Sequence, residues 1–244
     1  MLGYITDVQY MKPNNHNEYP FNLKVLNELN TIELDSKVTF FVGENGSGKS
    51  TLIEAIAIAY GFNAEGGSIN FNFATKNSSS ELFKYIFLKK TINKAKDGFF
   101  LRAESFYNVA TQIDELDAIP AAAPKIIDAY GGKSLHEQSH GESFLNLMNN
   151  RFRGNGLYIL DEPEAALSSE RQLSFLFRLH ELVKDNSQFI IATHSPIILS
   201  YPFSTIYSIE DIGLVKKKYE ETNQYQFMKM FIGDYKRILY KLFR

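Results

Sequence analysis

The chain has 244 residues, 44% of them hydrophobic, which is enough core for one large domain or two small ones. A formal net charge of −2 argues against a molecule that gathers nucleic acid over its whole surface, and zero cysteine excludes disulfides and thiolate zinc sites. With no run near 18 apolar residues and no basic-then-apolar signal pattern in Met1–Asp7, a soluble cytoplasmic protein is expected.

Tyr4 to Met11 alternates like a strand, and Lys12 to Tyr19, with Pro13 and three asparagines, reads as a loop. Leu26 to Leu34 and Val38 to Val42 read as two further strands around the turn Asp35-Ser36-Lys37. Directly after the second comes Gly43-Glu44-Asn45-Gly46-Ser47-Gly48-Lys49-Ser50, followed by the helix-forming run Thr51 to Ala57. Strand, glycine-rich turn and helix are the context a phosphate-binding P-loop needs. Glycines let the backbone wrap phosphate oxygens, and the helix start adds its positive dipole end. Gly43, Asn45, Gly46, Ser47, Gly48, Lys49, Ser50 and Thr51 are therefore the candidate nucleotide-binding residues, with Lys49 reaching the β- and γ-phosphates and Ser50 binding Mg²⁺. The helix should run from Lys49 to Tyr60 and stop at Gly61.

Asn77-Ser78-Ser79-Ser80 is the most linker-like stretch. Beyond it, Tyr85 to Lys90 and Phe99 to Glu104 read as strands that pair across a loop ending in Asp97-Gly98. Phe106 to Leu116 fits a helix, Ala118 to Pro124 a loop, and a further helix opens at Ser139 and runs to about Arg151. The last third alternates element types. Leu157 to Leu160, Phe189 to Ala192 and Thr205 to Ile209 read as strands, with Ser169 to Lys184 helical between the first two. That rhythm argues for an α/β fold with a mainly parallel sheet flanked by helices.

Leu157-Tyr158-Ile159-Leu160-Asp161-Glu162 puts two carboxylates at the end of a buried strand, where ligands sit in open α/β sheets. Asp161 is the candidate for the Mg²⁺ shell, and Glu162 for orienting or deprotonating an attacking water. Ser139-His140-Gly141-Glu142 reads first as a capping box at a helix start. His194, in Thr193-His194-Ser195-Pro196, is either a turn residue bonding locally or a donor to a γ-phosphate at the same sheet edge.

P-loop, Ser-x-Gly-Glu, apolar-run-Asp-Glu-Pro and Thr-His-Ser-Pro, in this order and spacing, resemble the ATP-binding-cassette ATPase superfamily. The likeness is greatest to its soluble branch, which includes SMC-type ATPases, and within it to short bacterial AAA-family ATPases. Phe62 to Ser68, Phe99 to Ser105 and Leu135 to Glu142 are similar to that group, and the resemblance runs from about Tyr4 to Tyr207. It implies one ABC-type domain over residues 1–244, with an N-terminal antiparallel β subdomain and an inserted lobe near residues 77–138. It also implies ATP and Mg²⁺ as cofactors, Lys49, Glu162 and His194 as catalytic residues, and a D-loop at Glu164-Ala165-Ala166-Leu167. Ser139, Gly141 and Glu142 match the signature motif that meets ATP held by a second subunit, so the resemblance implies an ATP-sandwich homodimer. Two departures stand out. His140 and Glu142 replace the usual glycine and glutamine of the signature, and no glutamine stands out as the Mg²⁺-ligating Q-loop residue, for which Glu104 is the first candidate and Gln112 the second. Tyr10, Tyr19 and Phe21 could stack on adenine, though a core role suits each better.

What the ATPase drives is less legible. The span from Thr51 to Ser139 holds a small lobe but no long coiled coil. Residues 216–244 are basic and interleaved with aromatics that could stack on bases; the near-helical spacing of those from Tyr235 to Phe243 favours packing on the core with a solvated basic face. An ATPase acting on nucleic acid or a neighbouring effector protein is expected; a nucleotide-switched binding module and an orphan transport subunit are the alternatives.

Overall fold

The computed structural model describes residues 3–14, 18–69, 79–102, 106–118, 125–137 and 139–244, and of 106–109, 112, 129, 135 and 140 the backbone. In chain order its elements are β1 (Ile5–Tyr10), β2 (Thr31–Glu33), β3 (Val38–Val42), α1 (Lys49–Tyr60), β4 (Gly67–Ser68), β5 (Ile86–Lys90), β6 (Asp97–Arg102) and α2 (Phe106–Asp117). There follow α3 (His140–Asn150), β7 (Gly156–Asp161), α4 (Ser169–Lys184), β8 (Gln188–Ala192), α5 (Pro196–Leu199), β9 (Ser204–Glu210), β10 (Gly213–Lys217) and α6 (Asn223–Leu242).

A seven-stranded sheet in the order β10-β9-β3-β8-β7-β6-β4 forms the centre. The five strands from β9 to β6 are mutually parallel, and β10 and β4 join antiparallel at the two edges. Strands buried on both faces read as continuous apolar runs, and here each run splits between two cores. Val38, Phe40, Tyr158, Leu160, Phe189 and Ile191 face α2 to α5, while Phe41, Leu157, Ile159, Ile190 and Ala192 face α1 and the small sheet. That small sheet is the expected antiparallel β subdomain, in the order β2-β1-β5. Gln188, fully buried, ties the two sheets: its Nε2 donates to the carbonyls of Ile5 and Asp35, and its Oε1 accepts from the amides of Tyr4 and Ile5.

Helices at Lys49–Tyr60, Phe106–Asp117, His140–Asn150 and Ser169–Lys184 lie where the patterning puts them. Three expectations are corrected. The strand expected over Leu26 to Leu34 is confined to Thr31–Glu33, because Lys24–Leu26 forms a short 3₁₀ turn and Glu28 takes a left-handed conformation (φ 51°). β5 and β6 do not pair with each other. β5 lies against β1, and β6 lies parallel to β7, so hydrophobic spacing marked both strands but not their partners. The aromatics from Tyr235 to Phe243 do not pack on the core: no residue of α6 is buried, since α2 to α5 already cover that face of the sheet, and of the C-terminal rings Tyr219, ahead of the helix, is the one packed against it. The Ala/Pro loop after Ala118, and most of the Asn77-to-Ser80 linker, lie outside the described residues. Among the described residues no helix is long and apolar enough to cross a membrane.

Candidate functional site

Parallel pairing brings the ends of β3, β7 and β8 to one sheet edge, with Phe41 and Asp161 both in register with Ala192. The loop after β3 turns through left-handed Gly46 (φ 77°) and Gly48 (φ 102°), conformations that L side chains rarely adopt. At Gly48 a Cβ would also stand 2.7 Å from Val25 Cγ1, so the close approach and the backbone both demand glycine. The Val25 amide donates to the Ser47 carbonyl at 3.2 Å and fastens the loop. Lys49 is 4% exposed and donates to the carbonyls of Gly43 and Glu44 at 3.1 and 3.0 Å. Burial holds its pKa below the usual lysine value, against the pull of Glu162, Asp161 and Glu164. Gly48 caps α1 without a side-chain bond, leaving the first-turn amides to another acceptor. Ser47 Oγ is buried with no hydrogen-bond partner.

Asp161 emerges from a wholly buried strand and accepts from Ser50 Oγ at 3.1 Å. Burial pushes its carboxyl up to about 7; the Ser50 bond, Arg102 and Lys49 pull it down, and the Glu162 charge adds to the rise. Glu162 itself is left-handed (φ 50°, ψ 54°), a strained conformation for a residue with a side chain, and its amide donates to the Ala192 carbonyl at 3.0 Å. The turn aims its carboxylate at the end of β8, where Oε1 lies 3.4 Å from His194 Nε2. That Nε2 is buried and makes no hydrogen bond. The His194 amide donates to Glu164 Oε1 at 2.5 Å, so the segment after Glu162 holds the histidine's backbone. Ser195 caps α5 and donates to buried Gln172 Oε1, fixing the turn from the far side.

These atoms suit a polyphosphate with Mg²⁺: a buried cation, a cradle of glycines, and two buried polar atoms that make no hydrogen bond, Ser47 Oγ and His194 Nε2. Among the described residues no group of three or more His, Cys, Asp or Glu side chains could hold a metal alone. Mg²⁺ at Ser50 and Asp161 would therefore share its shell with phosphate and water, its usual habit. A cleft of about 1030 Å³ opens beside the loop, lined by Gly43 to Ser47, His194, Ile209 and Gln224.

A family model described as AAA domain matches residues 21–226. The chain belongs to the AAA-domain family. Its curated relatives include the tungstate uptake system ATP-binding protein TupC of Campylobacter jejuni, 28% identical over 182 residues, which are 71% of this chain and 53% of that one. Another is the ABC transporter G family member STR2 of Medicago truncatula, 26% identical over 172 residues, 65% of this chain and 24% of that one. The chain thus spans about half the length of the first relative and a quarter of the second. Among solved structures, MJ1267, an ATP-binding cassette of an ABC transporter, superposes with a TM-score of 0.55 at 16% identity, over 95% of this chain and 98% of that one. The fold is that of an ABC-type P-loop ATPase.

Within this AAA-domain chain, Lys49, Ser50, Asp161, Glu162 and His194 meet at one edge. Ser139 is the N-cap of α3. It forms the capping box that its sequence suggests, with Oγ donating to Glu142 Oε2 at 2.7 Å. The Ser139 bonds, and Arg171 beside them, hold the Glu142 carboxyl below the usual range. Gly141 is packed so closely that a Cβ would meet Arg171 Nη1 at 2.5 Å and the Ala166 carbonyl at 2.6 Å. Glu104 and the side chain of Gln112 lie outside the described residues. Tyr10 and Phe21 are buried in the core, whereas Tyr19 is 63% exposed with its hydroxyl 3.4 Å from Thr51 Oγ1. Sequence reasoning passed over Arg102, which pairs with Glu54 at 2.6 Å, and Arg171, which bonds Ser139 and Glu142 at 3.3 Å each. Glu54 carried a signal: it is an acid in an apolar helical run, one turn beyond Ser50.

Proposed function

We propose that this chain binds ATP with Mg²⁺ and hydrolyses it, in a cycle that closes and opens a homodimer. The observation that carries the reading is the Glu162–His194 pair beside Lys49 and the Ser50–Asp161 bond. Lys49 and the amides of Gly46 to Thr51 hold the β- and γ-phosphates. Ser50 and Asp161 hold the metal, which when bound neutralises phosphate charge. Glu162 orients a water toward the γ-phosphorus and accepts its proton, while His194 donates Nε2–H to a γ-oxygen. Tyr19, exposed beside Thr51, is the aromatic free to stack on adenine.

Ser139, Gly141 and Glu142 complete the site of the opposite subunit, with Glu164 to Leu167 next to them at the interface. Residues 1–244 act in this reading as one ATPase domain in the cytoplasm, working on nucleic acid or a neighbouring effector protein. The test is phosphate release from wild type and Glu162→Gln, with dimer formation followed by light scattering. Turnover in wild type, none in Glu162→Gln and an ATP-trapped dimer support the reading; a wild type that binds ATP without turnover makes it a nucleotide-switched binding module. The two curated relatives favour a second reading, a subunit of a transport system. That one requires the chain to co-purify with a membrane protein.

A further inference from the structure

Helix α6 carries a ladder of rings, Phe227, Phe231 and Tyr235, with successive centroids 6.1 and 6.4 Å apart. From Tyr235, beyond a break in helical geometry at Asp234 (φ −150°, ψ 45°), the apolar side continues through Ile238, Leu239 and Leu242. This i, i+3, i+4, i+7 spacing makes one helix face. None of the helix is buried: Phe227 is 61% exposed and Leu242 72%. It meets the body through α5 and the turn Tyr219–Glu221, where Tyr225 packs on Tyr219 with ring centroids 4.9 Å apart. All but the first turn of α6 also lies beyond the family match, which ends at residue 226.

The charged residues of the helix are nearly all cations, with Met230 and Tyr240 also exposed among them. Between Asn223 and Arg244 stand Lys229, Lys236, Arg237, Lys241 and Arg244, against the single acid Asp234. On a helical wheel Arg237 lies opposite the apolar face, and Lys236 and Lys241 flank it, while Arg244 follows the end of the helix. A second copy's α6 is a poor occupant, because pairing would crowd two sets of cations with almost no acids between them. Nucleic acid would satisfy the cations and leave Ile238, Leu239 and Leu242 in water. An anionic bilayer satisfies both faces at once, with the apolar arc at the acyl boundary and the cations among headgroup phosphates.

We propose that α6 is an in-plane anchor for an anionic phospholipid surface. Its first turn contributes Asn223 and Gln224 to the cleft shared with Gly43 to Ser47 and His194, so docking sets that cleft beside the bilayer.

The full chain is tested by flotation with phosphatidylcholine vesicles, with and without phosphatidylglycerol. Flotation is expected only with the anionic vesicles and declines as salt is raised. Lys236→Gln with Arg237→Gln lowers partitioning by about thirtyfold. Phe227→Ser with Leu242→Ser abolishes it at an unchanged melting temperature, because both side chains are exposed. Equal flotation with neutral vesicles overturns the proposal. So does a failure to float accompanied by a dimer that Leu242→Ser dissolves, or by oligonucleotide binding that Lys236→Gln removes.

Discussion

Glu162 Oε1 and His194 Nε2 lie 3.4 Å apart across the ends of two adjacent parallel strands, β7 and β8. Strand pairing sets that distance, and the left-handed turn at Glu162 aims the carboxylate across it. Two side chains from separate motifs thus face one point beside the P-loop. Replacing His194 by alanine should lower turnover by about 10²–10³-fold, the usual cost of one lost donor to transition-state charge. Because the Nε2 makes no hydrogen bond in the fold, the melting temperature should hold. Steady-state phosphate release and a thermal melt check both halves; a variant that keeps its rate places His194 outside the chemistry.

Asp161 gives a pH-dependent prediction for the nucleotide-free protein. Its carboxyl is raised to about 7 in the fold, above the value of an unfolded chain. Between roughly pH 4 and 7 the folded state therefore binds more protons than the unfolded one. Stability falls as pH rises through that window, because a poorly solvated charge must then be carried. Asp161→Asn should stabilise the apo protein at pH 8 by up to about 4 kcal/mol and by little at pH 4, while abolishing Mg²⁺-dependent turnover. Calorimetry at the two pH values decides it: an Asn variant less stable at both would refute burial as the dominant cause.

Gly48 offers a backbone test. With φ at 102° and Val25 Cγ1 2.7 Å from the site of a Cβ, Gly48→Ala meets strain and overlap together. A cost of about 1–3 kcal/mol is expected, and nucleotide affinity should drop further because the loop must shift. Gly61→Ala is the control. It has a similar φ of 121° but open space around it, so it should lose stability and leave nucleotide binding alone. Equal binding defects in the two would mean that the crowding at Val25 plays no part.

Much of this site was legible because its chemistry sits at strand ends. A run such as Leu157 to Leu160 is apolar on both faces as a doubly buried strand must be, its alternation with helices marks a parallel sheet, and parallel sheets gather their C-terminal ends at one edge. The order P-loop, Asp161-Glu162, His194 therefore implied proximity without coordinates. Pairing partners were not legible in this way. Ile86–Lys90 and Asp97–Arg102 carry hairpin-like spacing, yet each finds its neighbour far away in the chain, because local alternation says which face is buried and not what covers it. Arg102 and Arg171 were missed for a related reason: a lone arginine carries no periodicity, and its role depends on the acid the fold brings to it. The outward face of α6 defeated the reading from the opposite side, since aromatics at helical spacing look the same on a core helix and on an exposed one.

The Ser139 hydroxyl is engaged by Glu142 at 2.7 Å and by Arg171 at 3.3 Å. In the proposed role Glu142 would face a triphosphate and repel it, and Arg171, which bonds Glu142 Oε1 at 3.3 Å, offsets that charge. If the cluster acts on nucleotide held by another copy, a mixture of Ser139→Arg and Lys49→Ala chains should regain turnover that neither has alone, because one site of each mixed dimer is then intact. The recovered rate should approach a quarter of wild type if subunits exchange freely: half of the dimers are mixed, each with one site of two. Arg171→Ala should weaken ATP-dependent dimerisation at an unchanged melting temperature, because the ion pair is exposed and contributes little to folding. Adding Glu142→Gln, which removes the charge that Arg171 offsets, should restore it. Mixtures that stay inactive at every ratio would rule out the shared site, and failure of Glu142→Gln to rescue would give Arg171 a role other than charge balance.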